Sequence, residues 1–244
     1  MKHGYLDKYS DLESNIHSLD PRLKLITALI FIICIIQTNI YEANKLPIYF
    51  AGLFFVILTS KVPIKYILKK SLLILPFIIV ITFFAIFNNI EPVFRHNKMY
   101  SLVFIAIKAW LSFLVLILLS STTKYQMILK ALEKLKMPKI LIMILNFMYR
   151  YIFVFIDEFE RMNRARKLRS YNESLISQFK ILGYIVAILY LRAYERAEKV
   201  YLSIVMRGFD GEIKAIDILS IKTKELILFI LSSILLLMIY FIHI

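Results

Sequence analysis

Two arginines, far apart in the chain, stand in neighbourhoods of the same design. Counted back from Arg169 and from Arg207, the two stretches align without gaps. An acid lies twelve residues before each arginine (Asp157, Glu195), another lies nine before (Glu160, Glu198), and a base lies eight before (Arg161, Lys199). A long apolar residue directly precedes each, Leu168 or Met206, and a small residue follows, Ser170 or Gly208. An aromatic comes next (Tyr171, Phe209), then Asn172 or Asp210. A planar guanidinium can grip a carboxylate bidentately in a partly dry groove, which an ammonium does less well. Two arginine tips in one local frame therefore suit docking onto two copies of an acidic partner. The pattern also fits two solvated helices with capped ends. Asp157 with Arg161 and Glu195 with Lys199 have i, i+4 spacing, worth roughly 0.2–0.5 kcal/mol each, and a small residue suits the exit from a helix.

Little else in the chain can do chemistry. The histidines, His3, His17, His96 and His243, are scattered, and none has ligand spacing within an apolar run. Cys34 is the sole cysteine and sits in an apolar run, which excludes a disulfide or CxxC site and reads as a buried inert thiol. Gly183 is the single glycine between residue 122 and Gly208, too few for a Rossmann or P-loop site. HExxH and GxSxG are both absent. The expectation is a non-enzyme that binds no metal and no cofactor itself.

The elements that would carry the arginines belong to a membrane protein. Of 244 residues, 60% are hydrophobic and only 20% charged, and the apolar excess comes in runs. Five runs read as spans: 25–41, 46–58, 72–87, 102–119 and 226–242, with Pro76 kinking the third near its start. Asp20 and Pro21 mark the start of the first helix as N-cap and first helical residue. The first 24 residues are polar, and no small-residue cleavage site follows the first run, so that run is expected to be retained. Too few polar residues lie within the runs to line a pathway, which weighs against a stand-alone carrier.

The net charge of +14 reflects basic residues beside apolar runs, without the aromatic interleaving of an RNA-binding surface, so no nucleic-acid partner is expected. Lys2, Lys8, Arg22 and Lys24 precede the first run, and Lys61, Lys65, Lys69 and Lys70 follow the second. The intervening loops hold only Lys45, then Arg95 and Lys98. This alternation predicts a cytoplasmic N-terminus, a cytoplasmic 122–222 region and an extracytoplasmic C-terminus. Lys108, alone within a span, reads as a snorkelling residue.

The expected organisation is thus 1–121 (arm and four spans), 122–222 (cytoplasmic helices) and 223–244 (last span). Within 122–222, Thr123 and Gln126 read as a capping box for an amphipathic helix that stops at Met137 and Pro138. Two longer helices follow, apolar at first (140–156, 181–191) and charged towards each arginine.

With these residues in place, the chain resembles the T component of energy-coupling factor (ECF) transporters, most closely the CbiQ type of cobalt uptake systems. The resemblance rests on His3-Gly4-Tyr5-Leu6-Asp7-Lys8-Tyr9 with Ile16-His17-Ser18-Leu19-Asp20-Pro21-Arg22, on Ala131-Leu132-Glu133-Lys134-Leu135-Lys136-Met137-Pro138, and on Leu168-Arg169-Ser170 and Met206-Arg207-Gly208. It covers residue 5 to the C-terminus. It implies an all-α ECF T-component fold in a prokaryotic plasma membrane. Two ATP-binding cassette ATPase subunits would dock at Arg169 and Arg207, and a separate membrane-embedded substrate-binding subunit would carry the specificity. ATP would bind only the partner subunits. The implied cargo is cobalt, with nickel next and a vitamin such as biotin further back. The commonest family motif has Ala before the arginine, where this chain has Leu168 and Met206.

Overall fold

The computed structural model describes residues 12, 14, 16–87, 98–169, 174–209 and 223–241. Every regular element among them is helical, as expected for a chain whose backbone must satisfy its own hydrogen bonds in lipid. In order these are α1 (Pro21–Gln37), α2 (Lys45–Ser60), α3 (Ile64–Ser71), α4 (Leu75–Phe87), α5 (Lys98–Thr122), α6 (Tyr125–Lys134), α7 (Lys139–Arg169), α8 (Leu175–Val205) and α9 (Thr223–Phe241), with short 3-10 turns at Ile40–Glu42 and Leu72–Ile74. The molecule divides into two compact units, residues 1–135 with 218–244, and residues 136–217.

In the first unit, α5 is the central post, packed by α1, α2, α3 and α4, while α1 also packs against α6 and α9. Ile35, Tyr49 and Leu111 are almost wholly buried there, and Phe31 meets the Tyr49 ring edge-on at 5.8 Å. Leu29, Ile33 and Ile36 line the opposite, exposed side of α1 at helical spacing. Cys34 is free and buried in this core, as its apolar run predicts.

The start of α1 is as expected. Asp20 is its N-cap, with the side chain accepting from the Arg22 amide at 2.8 Å, and Pro21 follows. Its end is not. Helix α1 stops at Gln37, four residues before the predicted limit at 41, and Thr38 turns its hydroxyl back to the Cys34 carbonyl at 2.8 Å. The third predicted run is also divided. Its first three residues form a 3-10 turn, and α4 then starts at Leu75, so Pro76 lies in a first turn, where its missing N–H costs nothing, instead of kinking a longer helix. The residues before it, expected as a basic loop, form the eight-residue α3.

The Thr123 capping box is absent. Helix α6 begins at Tyr125 with Lys124 as N-cap and no side-chain cap bond, while Thr123 is buried at the α5–α6 corner. The helix ends at Lys134, before the predicted proline stop, because Lys136 has already turned left-handed (φ 65°).

Three described helices are long and apolar enough to cross a bilayer by length and composition: α5 over Tyr100–Thr122, α7, and α8 over Ile176–Val205. Of the five predicted spans only the fourth is among them. Helices α1 and α2 have 17 and 16 residues, because Thr38 and Lys61 end them, and α4 is described over 13 residues. Helices α7 and α8, predicted as cytoplasmic, qualify because their charges gather in the second half and leave a long apolar window in the first.

Candidate functional site

The second unit consists of α7 and α8, each 31 residues long. The equal lengths give physical form to the repeated pattern around the two arginines. Among the described residues of this unit only Ile142 and Ile185 are buried apolar side chains, so both helices carry wide exposed apolar faces.

Arg169 is the last residue of α7 and is exposed; Leu168 beside it is 88% exposed. Arg207 is also exposed, and Met206 before it is 90% exposed. Methionine and arginine are among the residue types enriched at protein interfaces. The two tips differ in backbone. Arg169 is still helical, whereas Arg207 lies in the turn that ends α8. There the Gly208 amide donates to the Val205 carbonyl at 2.9 Å and the Phe209 amide to the Ile204 carbonyl at 3.3 Å. With Gly208 left-handed at φ 77°, this is a Schellman end, and Arg207 directly precedes its left-handed residue. Ser170, the residue matched to Gly208, lies outside the described residues.

The tips are not brought together. Arg207 follows the C-terminus of α8, while Arg169 is six residues before its first residue, Leu175, and α8 itself is about 46 Å long. One arginine thus serves each end of α8.

Sequence reasoning missed what joins the two helices. Arg192 of α8 pairs with Glu158 of α7, with the Glu158 side chain mostly buried. Each residue stands where its helix turns from apolar to charged, just after Ile156–Asp157 and Leu191. That shared position was the available signal. Arg161, four residues after Asp157, donates from Nε to the Asp157 backbone carbonyl at 3.3 Å, and Arg164 pairs with Glu160 at 3.4 Å.

In the first unit, a polar knot ties three helix ends together. Lys24 is buried, and its Nζ donates to the His17 carbonyl at 3.0 Å and to the Thr122 carbonyl at the end of α5 at 3.2 Å. Glu225 of α9 accepts from the Asp20 amide at 3.1 Å. Burial pulls the Lys24 pKa down to about 8, against the opposing pull of Asp20 and Glu225. Lys108, read as snorkelling, instead donates to the Ile36 and Thr38 carbonyls at 2.6 and 2.9 Å, closing the C-terminus of α1. Lys45, expected in an outer loop, is buried and paired with Glu42 at 2.7 Å.

Among the described residues no three His, Cys, Asp or Glu gather as a metal site. His17 shares a hydrogen bond with the Ser14 hydroxyl at 2.7 Å; His3, His96 and His243 lie outside the described residues.

The chain matches the family model described as CbiQ, cobalt transport protein, over residues 13–216. It is 29% identical to an uncharacterised protein of Methanocaldococcus jannaschii, covering 94% of this chain and 90% of the relative. It is 26% identical to the energy-coupling factor transporter transmembrane protein EcfT of Bacillus subtilis, covering 84% of each. A shorter match, 29% identical over 38% of this chain and 16% of the relative, is to a putative fused cobalt transport protein CbiMQ of Methanocorpusculum labreanum.

Proposed function

The chain belongs to the CbiQ cobalt transport protein family, and from that membership we propose that it couples two ATP-binding cassette ATPase subunits to a separate membrane-embedded substrate-binding subunit. The observation that carries this reading is the pair of exposed tips. Arg169 closes α7 and Arg207 lies two residues beyond α8, each beside a bare apolar residue. Leu168 and Met206 enter apolar pockets on the two ATPases, and Arg169 and Arg207 engage carboxylates beside them. Gly208 and Ser170 let the chain leave each tip without obstructing the groove. ATP stays on the partners, and this chain holds no cofactor.

The region 122–222 is cytoplasmic, with the N-terminus on the same side and the C-terminus outside. The apolar halves of α7 and α8 are then covered by the substrate-binding subunit, and their length and apolarity reflect that contact. The cargo is a transition-metal ion, cobalt before nickel, carried by the other subunit; a vitamin substrate is the alternative.

The test is co-purification of the tagged chain with the ATP-binding cassette proteins encoded beside it. Two ATPase subunits per chain are expected. Arg169→Glu with Arg207→Glu should release them and reduce ATP-driven uptake to background, while the chain stays folded in the membrane. Unchanged recovery and uptake in that variant would overturn the docking role. A cysteine replacing Val186 should react with a membrane-impermeant thiol reagent only after the cell is opened. Protection in both conditions, without partners present, would make α8 a membrane span. Uptake of cobalt, nickel and biotin by the complete complex then separates the cargoes.

A further inference from the structure

Helix α3 was expected as a loop, and its surface has four distinct strips. Ile67 and Ser71 face inward, buried in the core around α5. Ile64 and Leu68, one turn apart, form an apolar edge next to that face, each 49% exposed. Lys65 and Lys69, also one turn apart, occupy the outward side and are exposed. Tyr66 and Lys70 complete the circuit, with the Lys70 ammonium 4.7 Å above the Tyr66 ring. Lys70 is thereby engaged with its own helix, whereas Lys65 and Lys69 reach outward side by side.

The position of α3 fixes what such a surface can meet. It joins α2 to α4, both apolar, and a basic turn between two apolar helices belongs at the edge of a bilayer. Buried Val62 and Ile67 hold it against the core. Its apolar edge continues through exposed Leu72 onto the exposed apolar surface of α4 at Phe77. Residues at i and i+4 have Cβ atoms about 5–6 Å apart, so two lysine side chains can close on one phosphate.

We propose that α3 is a binding surface for a net-negative phospholipid of the surrounding leaflet. The phosphate is held between the Lys65 and Lys69 ammoniums, and the acyl chains run along Ile64, Leu68 and α4. Charge complementarity selects the lipid, because a zwitterionic headgroup brings its own ammonium into competition with the lysines. Each lysine near an anionic surface contributes a factor of about five in affinity. Screening weakens this as salt rises. The inference depends only on the first unit lying in a bilayer, not on the two arginine tips.

The test uses the full chain in lipid nanodiscs, with Trp110→Phe removing the native tryptophan and Leu68→Trp placing a reporter on the apolar edge of α3. Quenching of that tryptophan by tail-brominated phosphatidylglycerol is compared with quenching by tail-brominated phosphatidylcholine. Phosphatidylglycerol should be preferred by about tenfold or more at low salt. Lys65→Gln with Lys69→Gln should bring the ratio to near one, and Lys65→Arg with Lys69→Arg should retain it. Raising the salt with the lysines intact should reduce the preference, so the idea can be judged without any lysine variant. Equal quenching by both lipids at low salt would overturn it, as would a preference that survives the glutamine changes. Absence of quenching by either lipid would place α3 away from the bilayer and refute the proposal equally.

Discussion

The two units of this chain are both helical and both apolar, yet they are held together by opposite means. The first has a core: Ile35, Tyr49, Leu111 and Leu114 are buried against several helices at once. Its buried lysines are satisfied, Lys24 by two carbonyls and Lys45 by Glu42. The second has two long helices, two buried apolar side chains among those described, and an arginine–glutamate pair across them. Apolar surface left open to this degree signals a region whose packing is completed by something else. A unit that packs itself can anchor; a unit that does not is built to be covered.

The largest effect that sharpens this contrast comes from truncating side chains in each unit. Leu111→Ala should destabilise the purified chain by about 2–5 kcal/mol, as cavity formation in a packed core does. Ile188→Ala on exposed α8 should cost less than about 0.5 kcal/mol. Unfolding of both variants in the same detergent measures the difference, and equal losses would break the comparison.

A second effect is confined to the first unit and comes from Lys24. Its pKa is about 8 when folded and 10.5 ordinarily. Below about pH 8 the group is charged in folded and unfolded chain alike, and the full burial penalty applies. Between about pH 8 and 10.5 the unfolded chain holds the proton that the folded chain has released, so stability should rise with pH. The gain approaches about 3 kcal/mol at most. Thermal unfolding across that window should show a rise that is missing from Lys24→Met; parallel profiles would remove the knot from the account.

Smaller changes probe the second unit. Gly208→Ala places a Cβ in open space but at φ 77°, so it should cost about 1 kcal/mol of backbone strain without a clash. Its mark should be weakened ATPase recovery at the Arg207 tip, with Gly208→Asn milder. The smallest effect on stability belongs to the Glu158–Arg192 pair. Arg192 is half exposed, so either single change should cost at most about 1 kcal/mol. Glu158→Arg combined with Arg192→Glu should restore what each change alone removes from uptake; failure to restore would show that the pair does not fix the crossing.

The sequence carried the parts of this molecule that depend on local rules. The Asp20–Pro21 start of α1, the long helices leading to Arg169 and Arg207, and the exit at Gly208 all follow from capping and backbone preferences over a few residues. What it hid were long-range contacts. Lys108 looked like a snorkelling residue because nothing local shows that the open carbonyls of α1 lie within reach, 70 and 72 residues away. Lys24 and Thr122, 98 residues apart, were equally invisible as a pair. Helix α3 is obscured in the sequence because four lysines in ten residues read as a topology signal before they read as a helix. The first span reads too long because Thr38 ends α1 within a run that composition alone joins.

The Glu158–Arg192 contact divides α7 unequally, nineteen residues after its start and eleven before Arg169. Helices are stiff over such distances, so α7 turning about that contact behaves as a beam on a fulcrum, with arms of roughly 28 and 16 Å. A shift of one ångström imposed at the arginine would then appear as roughly 1.7 Å at the apolar end, in the opposite direction. The gearing trades force for travel, so a small movement at the arginine becomes a larger one at the apolar end.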